Sequence, residues 1–460
     1  MLELAAISVG FATGDTLDLA FVLAGAVVAT FGLYLLTLSI GAFFYSGRRG
    51  ARTPPSTRVV VLVPAHDEAE LIARCVRSLR AQTYPSVLYE VVVIADNCTD
   101  ATAAIATRAG ARVLVREAPD ARGKGRALRW AVDRVLAREP APDAVAVVDA
   151  DSVADAEFLD TLVQRFQAGA AAVQGESLLT GDGSTSPALR AAAFLLCNRV
   201  RPAGRTVLGL SCFLAGNGML LSRGLLTTVP WEAFTSAEDL EYSLVLRRAD
   251  VRIAFAGGAI VLSPAAPNAG AARRQQLRWE GGKARLARTW IPRLVAGALR
   301  ERRPSLLGAA FDLAVPPLGF LSAGALAGTA ACAGLALVGL VPVWGLAPWA
   351  AASVAIPLHV LAGLVAGRAP GSAYRAMLRA PLFVLAKAWQ LPHVLRFAGD
   401  TWVRTERATD GPDRPPRSAS SRREGASGGP NPHYRESVRP STPARGRPAT
   451  TPNPSRQETR

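Results

Sequence analysis

Short runs of β-branched and aliphatic residues (Val59 to Val63, Val91 to Ile94, Arg112 to Val115, Val145 to Val148) alternate along the chain with longer stretches of helical period. Those stretches, Glu68 to Gln82, Ala101 to Ala109 and Gly125 to Ala137, predict helices packed between strands. The alternation, held from Arg58 to about Arg293, predicts an α/β domain with a mostly parallel sheet that binds ligands at the carboxyl ends of its strands. Two other patterns interrupt it. Leu19 to Gly47 carries no charge and exceeds the roughly 20 residues that cross a bilayer, so it reads as a transmembrane helix over 19–45. Leu313 to Gly367 is also uncharged and is long enough for two spans, over 313–340 and 347–367, with a turn near Val341 to Pro348. Residues 374–402 mix Leu, Phe, Val and Trp with Arg and Lys, the pattern of a helix lying in the membrane interface. From Ala408 to Arg460, Pro, Ser, Gly and Arg displace large apolar residues, which predicts a disordered tail.

The chain therefore divides into an N-terminal membrane segment (1–47), an α/β domain (48–293), a C-terminal membrane region (294–407) and a tail (408–460). Composition agrees: 50% apolar and 19% charged residues, with mean hydropathy +0.21, exclude a disordered or fibrous chain and suit a membrane protein with a soluble part. Arginine placement supplies the orientation. Arg48, Arg49, Arg52 and Arg58 follow the first span, and Arg300, Arg302, Arg303 and Arg368, Arg375, Arg379 flank the later pair. The positive-inside bias puts the N-terminus outside and the α/β domain and tail in the cytoplasm, as expected at a bacterial inner or plasma membrane. The net charge of +16 includes ten Arg against four acidic residues from Gly411 onward. With much of the rest beside the spans, anionic membrane lipid is the expected partner and nucleic acid is not. Five scattered cysteines without a C-x-x-C pair argue against a disulfide framework or zinc site.

Candidate chemistry sits at the predicted strand ends. The first strand runs into Asp67 and Glu68, and the second into Asp96, where Thr99 or Asp100 can cap the next helix. In R-G-K-G-R, Lys124 between Gly123 and Gly125 offers a point charge for a diphosphate. The apolar strand V-A-V-V-D-A-D ends in Asp149 and Asp151, which point the same way on an extended chain and can share Mg2+ or Mn2+ with substrate phosphates. Glu238, Asp239 and Glu241 open a helix, where acidic residues complement the dipole and one can act as a general base. Gln275, Arg278 and Trp279 lie on a basic amphipathic stretch, Ala271 to Trp290, whose Arg273, Arg274, Arg285 and Arg288 suit a lipid surface. Taken singly, each group has an ordinary reading as loop, cap or solvated face. Their coincidence nominates a site.

Together these residues resemble a membrane-bound family 2 glycosyltransferase of the cellulose, chitin and hyaluronan synthase type, over Arg58 to Trp290 and the helix arrangement. The resemblance implies a GT-A-like fold, with Glu68 and Asp96 at the nucleotide base, Lys124 at the diphosphate, Asp149 on the nucleotide and Asp151 on the metal. It also implies Asp239 as base beside Glu238, and a Q-x-x-R-W motif (Gln275, Arg278, Trp279) holding acceptor and diphosphate. The implied reaction is inverting transfer from a UDP-sugar, UDP-glucose or UDP-N-acetylglucosamine, to a growing polysaccharide at the cytoplasmic face. Single transfer to a polyprenyl phosphate or other lipid is the alternative within enzymes, and a catalytically silent membrane scaffold is the alternative outside them. Asp67 stands where Asn is common, Ala237 replaces the Thr of T-E-D, and A-G-N-G (Ala215 to Gly218) matches the family's acceptor loop only loosely. The Arg distribution makes one expectation testable. Single cysteines at Ser184 and Ser427 should be labelled by a membrane-impermeant maleimide only after permeabilisation; labelling of Ser184 in intact cells would reverse the orientation.

Overall fold

The protein is described by a computed structural model covering residues 2–47, 53–180, 185–266 and 268–396. The expected tail, 408–460, and the end of the expected interface helix, 397–402, lie outside the described residues. Eight strands form one sheet among the described residues: β1 (Val59–Ala65), β2 (Tyr89–Asp96), β3 (Arg112–Arg116), β4 (Ala144–Val147), β5 (Val153–Ala154), β6 (Ala172–Thr180), β7 (Met219–Ser222) and β8 (Ile253–Pro264). Their order is β3-β2-β1-β4-β7-β6-β8-β5. Pairs along β3-β2-β1-β4 and between β6 and β8 are parallel, whereas β7 runs antiparallel to both β4 and β6. This is the mostly parallel sheet that the alternating pattern predicts, in the GT-A-like form that the resemblance implies.

Both faces of the sheet are covered, which is why β1 reads as an unbroken apolar run. Val59, Val61 and Val63 pack with the Ile72–Arg80 and Phe158–Gln167 helices. Val60 and Leu62 turn to the opposite core, under the Lys124–Leu136 and Glu238–Arg248 helices. Because parallel strands all end on one side, the loops after β1, β2 and β4 gather along one rim.

Among the described residues, three helical segments are long and apolar enough to cross a membrane: Asp18–Phe43, Leu318–Leu337 and Val343–Ala366. The second begins later than the uncharged run suggests, because Pro316 and Pro317 separate it from the Pro304–Ala314 helix. Small residues let the helices close. A side chain on Gly25 would meet Trp349, whose indole Nε1 donates to Phe21 O at 3.2 Å, and Ser39 Oγ lies 2.7 Å from His359 Nδ1. The single interface helix expected over 374–402 is corrected: its described part is three short helices, Gly371–Met377, Ala380–Ala388 and Leu391–Leu395. Pro381 and Pro392, each in a first turn, lack the N–H that a continuous helix needs.

One element has no counterpart in the hydrophobic pattern. Thr185–Leu195, a π-helical turn Leu196–Val200 and Arg201–Val207 form a bent helical segment that docks against the membrane helices. A Cβ on Gly204 would collide with Leu38 O, so only glycine permits this approach of the segment to the first span. Gly204→Ala should lower stability by about 1–3 kcal/mol, the typical cost of overpacking. Gly224→Ala, at a helical glycine with nothing near its Cβ position, should be neutral or slightly stabilising. Thermal unfolding of the two variants in detergent checks the contrast, and equal behaviour would remove the packing argument.

Candidate active site

Ten of the residues singled out in the sequence, Glu68, Asp96, Lys124, Asp149, Asp151, Glu238, Asp239, Gln275, Arg278 and Trp279, line one cavity of about 540 Å³, whereas Asp67 and Glu241 are not in its wall: Asp67 accepts from Thr99 N, and Glu241 from Phe234 N and Thr235 N at 3.1 Å. Its acidic part is assembled at the strand rim. Strand β4 ends at Val147, and Asp149 to Ser152 form a turn closed by Ser152 N donating to Asp149 O at 3.0 Å. The two aspartates therefore share the cavity through a turn rather than through extended-chain alternation.

That turn is fixed by a residue the motif reading passed over. Asn217 Oδ1 accepts from Asp149 N at 3.0 Å, while its Nδ2 donates to Ser152 Oγ at 2.9 Å and Ser263 Oγ at 3.2 Å. Ser152 Oγ in turn donates to Asp151 Oδ1 at 3.2 Å. The A-G-N-G loop thus positions the D-A-D turn. Its spacing, with glycines on both sides of a buried Asn and both in left-handed backbone (φ 70° at Gly216, 71° at Gly218), was the available signal.

Lys124 lies between the carboxylates. Its Nζ is 2.5 Å from Asp149 Oδ1, 2.7 Å from Gly216 O and 3.8 Å from Glu238 Oε1. Two glycines make this possible. Gly123 takes φ 126° to start the helix, and a Cβ on Gly125 would strike Ala233 O, in the stretch that leads to Glu238. On the far side, Gly216 admits Asp239: its Cβ position is only 3.0 Å from Asp239 Oδ2. Leu240 N donates to Asp239 Oδ1 at 2.8 Å, which orients the carboxylate.

Burial pushes Glu238 up to about 7 against the opposing pull of Lys124, with Asp239 adding to the rise. Asp239 is raised for the same principal reason, and Lys124 again opposes. Burial disfavours the Lys124 ammonium, but Asp149 and Glu238 outweigh it and hold the lysine charged.

At the other end of the rim, Asp96 accepts from Arg116 Nη1 at 2.5 Å, and its backbone O lies 2.7 Å from His66 Nδ1. Burial raises the Asp96 carboxyl, with Arg116 opposing. Glu68 is held through its backbone, whose N–H donates to Thr102 Oγ1 at 2.8 Å. Asp100, not Thr99, supplies the polar start of the following helix, accepting from Thr102 N at 2.9 Å. Gln275 and Trp279 sit four residues apart on the Ala269–Arg300 helix, and the Trp279 ring packs against Phe194 of the bent segment at 5.4 Å.

The donor set fits a divalent cation. Asp149 and Asp151 place hard carboxylate oxygens in one turn at the cavity wall, leaving further positions to phosphate oxygens and water. A second cluster, Asp67, Cys98 and Asp100, brings ligand atoms within 4.8 Å of one another. Its oxygens already clip two loops together: Asp67 Oδ1 accepts from Thr99 N at 2.6 Å, and Asp100 Oδ2 from Ala69 N at 3.1 Å.

Residues 54–282 match the family described as Glycosyltransferase like family 2. The chain carries a family 2 glycosyltransferase domain. It is 28% identical over 248 residues to a beta-monoglucosyldiacylglycerol synthase of Synechocystis sp., covering 52% of this chain and 51% of that one. To a low-salt glycan biosynthesis hexosyltransferase of Haloferax volcanii it is 35% identical over 130 residues, covering 28% and 30%. The chain thus spans about half or less of the length of these relatives. Among solved structures, a mannosyltransferase from Pyrobaculum calidifontis in complex with GDP-Man and Mn2+ superposes with a TM-score of 0.43 at 18% identity, covering 80% of this chain and 96% of that one.

Within the glycosyltransferase domain, Asn217 is the residue whose loss separates positioning from charge. Asn217→Ala removes two hydrogen bonds from the D-A-D turn and a third to Ser263 of β8 without touching a carboxylate. Affinity for Mn2+, followed by calorimetry, should weaken by about tenfold or more, as expected when buried polar groups behind a metal-binding turn lose their partners. Unchanged binding would show that the turn holds its shape unaided.

Proposed function

We propose that the protein transfers a sugar, with inversion, from a UDP-sugar to a hydroxyl of an acceptor presented at the cytoplasmic face of the membrane. The observation that carries this reading is the placement of Asp239: its Oδ1 is oriented by Leu240 N, and its Oδ2 is turned to Gly216, beside the Lys124–Asp149 pair. In this reading the acceptor oxygen attacks the anomeric carbon as its proton passes to Asp239. The bond from that carbon to the diphosphate breaks, and UDP departs with the electron pair. One displacement needs one base, and Asp239 supplies it.

The remaining groups bind and orient. Glu68 and Asp96, at the ends of β1 and β2, face the uracil of UDP-glucose or UDP-N-acetylglucosamine. Asp149 and Asp151 would hold Mg2+ or Mn2+, whose chemistry when bound is to neutralise diphosphate charge. Lys124, released from Asp149 as the donor enters, and Arg278 steady the same phosphates. Glu238, next to Asp239 and 3.8 Å from Lys124, keeps the lysine near the base.

Two observations bear on the acceptor. Trp279, 39% exposed and packed against Phe194, offers an indole face to a sugar ring, which supports extension of a polysaccharide. The cavity also reaches Asp312 and Leu313, a few residues before the span that begins at Leu318, which supports an acceptor anchored in lipid. The second is the stronger, because the cavity then opens beside the spans, and the curated relative from Synechocystis sp. is named for a glucosylated diacylglycerol. Incubation with UDP-sugars and membrane lipids, with products read by mass, separates the two: a single added sugar at all times supports the lipid acceptor, and a ladder supports polymerisation.

Asp239→Asn should lower turnover by about 10² to 10⁴ while UDP binding and thermal stability stay close to wild type. Near-normal turnover would reduce Asp239 to a helix-start residue and move the base to Glu238.

A further inference from the structure

Four ionisable groups of the cavity wall, Arg201, Arg205, Lys283 and Asp312, have no part in the transferase reading. Their charges do not balance. Asp312 Oδ1 takes Arg201 Nη2 at 2.5 Å, Arg205 Nη1 at 2.8 Å and the Tyr34 hydroxyl at 2.7 Å, so one carboxylate oxygen serves two guanidiniums. Lys283 Nζ donates to Val315 O at 2.7 Å and has no carboxylate within ion-pair distance among the described residues. The acidic residue three positions before it, Glu280, is taken by Lys387 at 2.7 Å. Arg205 and Asp312 are 4% and 3% exposed. Burial first, and then Arg201, push Lys283 down to about 8, which still leaves it cationic at neutral pH. Three cations and one anion in a largely dry wall leave an excess of two positive charges, an arrangement that costs free energy until an anion joins it.

The position of this excess is informative. Gln275, Trp279 and Lys283 succeed one another at four-residue spacing, so they share one face of the Ala269–Arg300 helix. Lys283 lies one turn past the aromatic pair toward Val315, three residues before the Leu318–Leu337 span, and Asp312 is bonded to Tyr34 inside the first span. An anion held here lies at the membrane boundary, beyond the residues assigned to the donor diphosphate.

We propose that Lys283, with Arg201 and Arg205, forms an anion subsite for the phosphate ester of a membrane lipid, the acceptor whose sugar-receiving end reaches Asp239. The inference rests on the lipid-acceptor reading above and names the chemistry of that acceptor: a phosphate at the head, hydrocarbon among the spans. Arg201 and Arg205 are also bound to Asp312, so Lys283 is the member that can be changed without cutting that junction.

The test uses the full chain in maltoside detergent, which carries no phosphate. Binding of phosphatidylglycerol and of diacylglycerol, each with a head hydroxyl to receive the sugar, is read by native mass spectrometry, with inorganic phosphate as competitor and Mn2+-UDP binding measured separately. Wild type should favour the lipid phosphate over the lipid alcohol by at least about tenfold, the usual weight of a charge-assisted contact. Lys283→Gln should remove most of that preference with UDP binding intact, and Lys283→Arg should keep it. Equal binding of phosphate and alcohol to the wild-type protein would overturn the proposal, as would a preference untouched in Lys283→Gln. Displacement by inorganic phosphate at the concentration at which the lipid binds would assign the subsite to free anion and overturn the lipid source. If UDP binding fails while the lipid preference stands, the donor reading falls and the subsite remains.

Discussion

The ammonium of Lys124 joins three segments that reach the cavity from different parts of the chain. Asp149 arrives after β4, Gly216 from the loop before β7, and Glu238 from the start of a helix. Without a cation among them, Asp149, Glu238 and Asp239 would repel one another in a space where burial already disfavours their ionisation. An opposite charge at about 4 Å in such surroundings is worth on the order of 4 kcal/mol before desolvation is counted. The glycines at 123, 125 and 216 follow from this requirement: one supplies a backbone angle, and two let the partner segments come close enough to share the lysine.

A comparable junction ties the site to the membrane helices. Asp312 gathers Tyr34 from the first span and Arg201 and Arg205 from the bent helical segment, and Arg205 also reaches Ser211 O at 2.8 Å and the Tyr34 hydroxyl. Burial works against the Asp312 anion, but the two arginines hold its carboxyl below the usual range. The close approach of Gly204 to the backbone of Leu38 adds a steric lock next to this polar one. The cavity floor and the first span are therefore fixed to each other by packing and charge together, and the π-helical turn at Leu196–Val200 sits in the middle of that contact. Such turns interrupt the regular ladder and are frequent where a helix presents side chains to a site.

Much of this was legible in the sequence, and for identifiable reasons. Strands β1, β2 and β4 are buried on both sides, so Val59 to Val63, Val91 to Ile94 and Val145 to Val148 announced them as apolar runs. Parallel strands end on one rim, so the pattern alone gathers Glu68, Asp96, Asp149 and Asp151 in one place. Illegible were the groups whose role depends on partners far along the chain. Asn217 acts on Asp149 across 68 residues, and Arg201 on Asp312 across 111. Arg201 belongs to no local period or motif, and the A-G-N-G stretch around Asn217 does not name Asp149 as its partner. The bent segment escaped because it buries its apolar residues against the membrane helices rather than against the sheet, so it resembled one more part of the α/β domain. The interface helix was overread because apolar-basic mixing describes a location, while prolines decide continuity.

The contact between Glu280 and Lys387 redefines where the enzyme's working unit stops. Glu280 follows Trp279 on the helix of the aromatic motif, and its partly buried carboxylate is answered by Lys387, from beyond the last span. Asp312 and Leu313, also outside the matched residues 54–282, complete the wall. A fragment cut at the apparent end of the α/β domain would be a bowl with its base removed: rim carboxylates in place, the wall at Asp312 and Leu313 open to water, and Glu280 left without its counter-charge. The helix before the second span is in that sense wall as well as tether, and the chamber cannot be lifted out of the chain's apolar portion intact.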